Sequence, residues 1–97
     1  MGYYDVGMPS PLHGYRYQIF RKLLIEAREN AGMTQVQVAE LLSKPQSFVS
    51  KYERGERRLD FTEFIEIAAA LEIDVHAFID EYRSSPSISK RHLHSHK

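Results

Sequence analysis

The sequence contains no cysteine. Disulfides, thiolate metal sites and cysteine nucleophiles are therefore excluded, and the composition fits a reducing compartment. No apolar run approaches the ~18 residues of a membrane span, and the N-terminus lacks the apolar core of a signal peptide. At 97 residues the chain has room for a single hydrophobic core. We therefore expect one small, soluble, cytoplasmic domain.

The chain also lacks net charge, with 13 basic and 13 acidic residues, yet the two signs are separated along it. Residues 16–58 carry nine Lys/Arg and five Asp/Glu, whereas residues 60–82 carry seven acids and no Lys or Arg. A basic front and an acidic back would orient the protein on a polyanion such as DNA. Solvated helix faces of opposite sign explain the charge pattern equally well.

Catalytic patterns are absent as well. The sequence has no Gly-rich phosphate loop and no Ser/His/Asp arrangement, so we expect neither an enzyme nor a bound cofactor. His92, His94 and His96 alternate near the C-terminus, but no cysteine or nearby carboxylate joins them. They therefore predict no preformed metal site.

What the sequence does contain is helical periodicity, which predicts an all-α domain of five helices over residues 15–82. The first helix starts at Tyr15, carries apolar residues at spacings of three and four, and ends at Gly32. Residues 1–14 contain glycines and prolines without helical period and predict a flexible arm. Residues 83–97 are Ser-rich and basic and predict a disordered tail.

Two short helices follow, separated by "SKP". Thr34 and Gln37 form a predicted capping box for the second helix. The third runs from about Pro45 to Arg54, with Val49 and Tyr52 facing inward. Two short helices joined by such a break are typical of a helix-turn-helix, whose second helix enters the major groove of DNA.

The fourth and fifth helices begin at acidic caps. Asp60 and Glu63 predict a capping box for the fourth helix, and Asp74 caps the fifth. The residues predicted to face inward are Phe61, Phe64, Ile65, Ala68 and Leu71 in the fourth helix, and Val75, Phe78, Ile79 and Tyr82 in the fifth.

Several of these pieces, in this order, resemble one family. They are Arg28 late in the first helix, "TQ" opening the second and Ala39 inside it, "VSKYERG" ending the third and "IAAAL" in the fourth. Together they are similar to the Cro/phage-repressor-type (Xre family) helix-turn-helix domain, over residues 17 to about 82. The resemblance implies a compact lambda-repressor-like fold. The family's turn usually reads Gly, aliphatic, Ser, whereas this chain has Ser43, Lys44 and Pro45.

The third helix is therefore the predicted DNA-reading helix, with double-stranded operator DNA as partner. The outward side chains predicted to contact bases are Gln46, Ser47, Ser50 and Lys51. Gln46 can pair with adenine N6 and N7, and Lys51 with guanine or a phosphate. Phe48 either touches a thymine methyl or packs on a neighbouring helix or subunit.

Other residues are predicted to position the domain. The expected phosphate contacts are Gln35, Lys44, Arg54, Arg57 and Arg58, which neutralise charge without specifying sequence. The role of Gln35 is implied by the resemblance, as is a buried ion pair between Arg28 and Glu53.

We expect a transcriptional regulator, and specifically a repressor, that acts as a homodimer on half-sites ~34 Å apart. Candidates for the dimer surface are Ile79 and Tyr82 of the fifth helix, the adjacent Ile67 and Ile73, and the terminal arms. The sequence leaves three placements open for Tyr3, Tyr4, Tyr15 and Tyr17, namely a dimer interface, the core, or a loose arm. One alternative is a protein-interaction module, such as an antitoxin or co-regulator with secondary DNA binding. A nonspecific DNA binder is the other, but overall neutrality argues against it.

Overall fold

The computed structural model describes residues 11–85, with side chains from residue 14 onward. Its elements, in chain order, are α1 (Pro11–Asn30), α2 (Gln35–Leu42), α3 (Gln46–Arg54), α4 (Phe61–Leu71) and α5 (Val75–Ser84). The predicted all-α, five-helix fold is confirmed. None of the helices within residues 11–85 combines the length and the hydropathy needed to cross a membrane. The last helix extends to Ser84, two residues into the predicted tail. The predictions for residues 1–10 and 86–97 lie outside the described part.

The first helix begins at Pro11, four residues before the predicted start at Tyr15, so the last part of the expected arm is helical. Proline suits the first helical position, where its missing N–H would have no intrahelical acceptor. Gly14 lies in the helix interior, at a cost of about 1 kcal/mol relative to alanine. Tertiary packing of a long amphipathic helix outweighs such a cost.

Four of the helices end in the same way, with a residue in the left-handed conformation. The residues are Gly32, Ser43, Gly55 and Glu72, at φ of 72°, 55°, 81° and 56°. At Ser43 the N–H donates to the carbonyl of Glu40, and the next N–H, from Lys44, donates to that of Ala39. This pair of bonds is the Schellman motif, which satisfies the last carbonyls of the helix. The turn between α2 and α3 therefore closes normally although serine stands where glycine is usual.

The start of α3 differs by one residue from the prediction. Pro45 is the N-cap, with extended backbone (φ −69°, ψ 155°) and no side-chain capping bond, so the helix begins at Gln46. Thr34 with Gln37 and Asp60 with Glu63 form the predicted capping boxes of α2 and α4. Asp74 accepts from Ala77 N–H and caps α5, as predicted.

The core lies where all five helices meet. Its most buried large side chains are Leu24, Val38, Val49, Tyr52 and Ile67. Ile67 was predicted to lie at a dimer surface, and this is wrong because its side chain is 0% exposed.

Phe61 and Ile65 were predicted to face inward, but they are 71% and 38% exposed. Ile79 of α5, also predicted to face inward, is 41% exposed. The sequence of α4 carries two apolar stripes, and periodicity alone does not select the buried one. Phe64, Ile67, Ala68 and Leu71 form the inward stripe.

Aromatic residues of α1 tie the domain together. The hydroxyl of Tyr17 accepts a hydrogen bond from Leu59 N–H (3.1 Å), and Tyr15 packs against the core. Arg16 donates to the carbonyls of Tyr82 and Ser85, both at 3.1 Å, and its guanidinium lies 4.3 Å from the centre of the Tyr82 ring. Tyr15 and Tyr17 therefore lie against the domain itself, whereas Tyr3 and Tyr4 lie outside the described residues.

Candidate nucleic-acid interface

The interface is anchored by an ion pair between α1 and α3. Nε of Arg28 donates to Oε2 of Glu53 at 2.7 Å, and Nη2 donates to Oε1 at 3.1 Å. Nη1 of Arg28 also donates to the carbonyl of Met33 at 2.9 Å. The Glu53 residue is only 5% exposed, so its carboxylate depends on these donors. Its hydrogen bonds in turn raise the pKa of Arg28 above the ordinary value.

The same carboxylate continues into a chain of hydrogen bonds that reaches the surface. Nε2 of Gln35, the first residue of α2, donates to Oε1 of Glu53 at 2.9 Å. Oε1 of Gln35 accepts from Nε2 of Gln46 at 2.8 Å. A buried ion pair thus orients the amide of Gln46 at the first position of α3.

The predicted base-contact residues share one face of α3. Gln46, Ser47, Ser50 and Lys51 recur at helical spacing, and all are exposed except Ser50, which is partly exposed. The hydroxyl of Ser50 accepts from Nη1 of Arg54 at 3.1 Å. The face combines an amide, two small hydroxyls and a cation, which are types of group that hydrogen-bond to base edges or phosphates.

Phe48 packs within its own chain. Its ring makes an edge contact with Tyr52, with centroids 5.5 Å apart. The guanidinium of Arg57 lies 4.8 Å from the ring centre, and the ammonium of Lys44 lies 5.4 Å from it. These contacts are with its own helix and with two of the expected phosphate-binding cations, while the contact with a thymine methyl stays a prediction.

Arg54, the last residue of α3, and Arg57, in the loop after it, are each paired with a carboxylate. Arg57 donates to both carboxylate oxygens of Glu63, at 3.0 and 2.8 Å, and Arg54 does the same to Glu56, both at 2.9 Å. The bonds from Arg57 lower the pKa of Glu63 from 4.5 to about 2. The bonds from Arg54 likewise lower the pKa of Glu56.

Solvated helix faces were one of the two explanations for the acids of residues 60–82, and Glu63 does not fit that explanation because Arg57 binds its carboxylate. Its carboxylate also accepts from Asp60 N–H at 3.0 Å as part of the α4 capping box. The position of Glu63 three residues after a cap pointed to that bond, but no local pattern indicates the pairing with Arg57.

Residues of α1 hold the loop that follows α3. The guanidinium of Arg58 lies 4.2 Å from the centre of the Tyr17 ring. Arg21 donates to the carbonyl of Glu53, and its side chain lies 3.0 Å from where a Cβ on Gly55 would stand. Gly55 is therefore favoured by its left-handed φ of 81°, and any Cβ there would also require the Arg21 side chain to shift. Sequence reasoning missed Arg21, because the contact depends on how α1 crosses α3.

Comparisons with known proteins agree with this geometry. Residues 24–78 match the family model described as "Helix-turn-helix" (HTH_3). A solved structure, described as an XRE-family like protein from Pseudomonas syringae pv. tomato str. DC3000, is 44% identical in sequence, with a TM-score of 0.71. The alignment covers 76% of this chain and 92% of that one. No curated protein matches. The chain therefore belongs to the XRE-type helix-turn-helix family, whose members are DNA-binding regulators.

Proposed function

We propose that this protein binds specific sequences of double-stranded DNA with α3 in the major groove and acts as a small transcriptional repressor. The observation that supports this most strongly is the hydrogen-bond chain from Arg28 through Glu53 and Gln35 to Gln46. A reading residue must present its donor and acceptor in a fixed direction. Most surface glutamines are free to rotate, whereas the amide of Gln46 is fixed by a chain of hydrogen bonds that starts at the buried Arg28–Glu53 pair.

The held amide keeps the groups that base reading requires. The bond to Gln35 uses one N–H of Gln46, so the other N–H and Oε1 remain for a ligand. In the major groove, adenine N7 can accept a hydrogen bond from that N–H, and adenine N6 can donate one to that oxygen. Gln46 is thus assigned to an adenine.

The rest of the outer face of α3 completes the reading surface. Ser47 and Ser50 are small enough to allow close approach and can bond to any base. Lys51 is exposed one turn after Ser47 and can donate to guanine O6 or N7. The face therefore reads a short run of base pairs, with Gln46 and Lys51 as its two discriminating members.

Backbone contacts are assigned to residues on either side of α3. Lys44 precedes the helix, and Arg54, Arg57 and Arg58 end and follow it. Because Arg54 and Arg57 are paired with Glu56 and Glu63, they must exchange a carboxylate for a phosphate when DNA binds. The Gln35 side chain is already bonded at both ends. One N–H of its amide remains, and this group, together with the N–H groups of the first turn of α2 that have no intrahelical acceptor, would supply the phosphate contact.

We further propose that the protein acts in the cytoplasm as a homodimer on a palindromic operator, because two half-sites double the readable sequence. Selection of bound sequences from a random DNA pool tests this function. A palindromic consensus with an adenine in each half is the expected result. Absence of any enriched sequence would contradict the proposal and would favour a module that binds another protein.

A further inference from the structure

The three arginines at the end of α3 and in the loop after it differ in how their charge is held. Arg54 and Arg57 are each paired with a carboxylate. Arg58 is exposed, and within residues 14–85 its side chain forms no ion pair. Its guanidinium lies instead 4.2 Å from the centre of the Tyr17 ring. Because the face of an aromatic ring attracts a cation without neutralising it, Arg58 keeps its charge and its N–H donors for another acceptor.

The ring of Tyr17 is itself fixed at both ends. It contacts the ring of Phe20 with centroids 5.5 Å apart, and Phe20 makes edge contacts with Phe64 and Phe78 at 5.5 and 6.0 Å. At the other end, the Tyr17 hydroxyl accepts a hydrogen bond from Leu59 N–H at 3.1 Å. Leu59 directly follows the arginine that lies on this ring. The core therefore holds the ring, and the hydroxyl holds the backbone beside the arginine.

We infer that Tyr17 is a positioning residue for DNA binding, whose ring holds the Arg58 guanidinium in place for a backbone phosphate. An arginine side chain that is ordered before binding loses less conformational freedom when it forms the contact. Burial raises the pKa of Tyr17 above its ordinary value, so the ring stays a neutral phenol and does not compete with a phosphate for the cation. Arg57, in contrast, must leave the carboxylate of Glu63 to bind a phosphate. This inference deepens the proposed function and rests on it, because the phosphate belongs to the DNA that α3 reads.

Two substitutions of Tyr17 separate the positioning of Arg58 from support of the fold. Tyr17→Phe and Tyr17→Leu both remove the hydroxyl and its bond from Leu59 N–H, whereas only Tyr17→Leu removes the aromatic ring. An exposed cation–π contact corresponds to about 2–5-fold in an equilibrium constant. Tyr17→Leu should therefore bind the selected operator about 2–5-fold more weakly than Tyr17→Phe. The same factor should hold for every single-base variant of the operator, since phosphate contacts carry no sequence information.

A double-mutant cycle identifies the partner of the ring. Arg58→Gln should weaken binding about 2–5-fold less in Tyr17→Leu than in Tyr17→Phe, because the leucine variant has already lost the benefit of the ring. Lys44→Gln is the matched control, since the Lys44 ammonium lies near the Phe48 ring, 5.4 Å from its centre. Its effect should be equal in both backgrounds. Equal binding by Tyr17→Leu and Tyr17→Phe, or an equal effect of Arg58→Gln in both, would overturn the inference.

Urea unfolding identifies any variant that fails to fold, and the unmodified protein supplies an independent test. Protons held over an aromatic ring are shifted upfield in NMR spectra by the ring current. The δ protons of Arg58 should therefore lie upfield of those of Arg83, which is exposed at the end of α5, in the free protein and in its DNA complex. Equal shifts for the two arginines would show that the ring of Tyr17 does not hold Arg58 in solution, against the inference.

DNA of unselected sequence separates this inference from the proposed function. Specific binding to the selected operator without coupling between Tyr17 and Arg58 overturns the positioning role and leaves DNA reading intact. The same coupling on unselected DNA, with no sequence enriched from a random pool, supports the positioning role and contradicts specific reading. A protein that binds neither DNA contradicts both.

Discussion

Gln46 and Gln35 are joined by a 2.8 Å hydrogen bond across the turn between α2 and α3. Gln35 is joined in turn to Glu53, whose carboxylate is held by Arg28 of α1. Gln46, which is proposed to contact a base, is thus oriented through a chain of hydrogen bonds that ends at Arg28 in another helix. Stability and the proposed DNA recognition therefore depend on one set of side chains, and mutations can separate the two.

Replacing Gln35 with alanine frees the amide of Gln46 and removes one donor from Glu53. We expect binding to the selected operator to weaken by about 0.5–1.5 kcal/mol, the net value of a hydrogen bond. The loss should be largest at the adenine assigned to Gln46. Titration against the operator and its single-base variants measures this, with Glu40→Gln, exposed on the same helix, as control. An equal loss on all DNA sequences would show that Gln35 does not position Gln46.

Removing either member of the Arg28–Glu53 pair should destabilise the fold. With Arg28→Met, the carboxylate of Glu53 stays buried and loses its cation, at a cost of roughly 3–5 kcal/mol of unfolding free energy. Urea unfolding measures this cost. The double variant Arg28→Met/Glu53→Gln should lose much less than the sum of the two single variants, because no buried charge is left unpaired. Additive losses would contradict the assignment of the two residues as a coupled pair.

The pairing of Arg57 with Glu63 predicts a specific acid sensitivity. Because the pKa of Glu63 is lowered from 4.5 to about 2 in the folded state, the unfolded state binds its proton at higher pH. The stabilisation is therefore complete above about pH 4.5 and is lost as the pH falls towards 2. Glu63→Gln keeps an oxygen for the capping box, so its unfolding free energy should decline less over this range.

The matched control for this experiment is Glu66→Gln, on the exposed face of the same helix. It should follow the pH dependence of the unmodified protein, as measured by urea unfolding between pH 2 and 7. If Glu63→Gln also showed the pH dependence of the unmodified protein, the Arg57–Glu63 pair would not contribute to stability in solution.

The salt dependence of DNA binding tests the backbone contacts. Each phosphate contact contributes about 0.9 to the slope of log affinity against log salt. Arg57→Gln and Arg58→Gln should each reduce that slope by about this amount and weaken all sequences alike. Arg83→Gln, exposed at the end of α5, should leave the slope unchanged. Unchanged slopes for Arg57→Gln and Arg58→Gln would rule out both arginines as phosphate contacts.

Local signals in the sequence predicted the parts of the fold that depend on neighbours in the chain. The capping boxes at Thr34 and Asp60, the cap at Asp74 and the inward position of Tyr52 all follow from spacings of three or four residues. The buried stripe of α4 did not, because Phe61 and Ile65 are as apolar as Phe64 and Ile67. Only the packing of α4 in the domain selects between the two stripes.

The candidate site shows the same division. Helical spacing placed Gln46, Ser47, Ser50 and Lys51 on one face of α3. The bond from Gln46 to Gln35 joins two helices, and the bonds from Arg57 to Glu63 cross the loop between α3 and α4. Counting charges along the sequence treated Arg57 as free. A linear pattern contains the types of these residues but not the distances between them.

The most direct test of the account is the affinity of Gln46→Ala for the selected operator and for operators changed one base pair at a time. If α3 reads DNA through this residue, the variant loses about 1–3 kcal/mol on the operator. It also stops discriminating at one base pair in each half-site, while its salt slope is unchanged. An equal loss on every sequence, or no loss at all, would contradict specific recognition through α3.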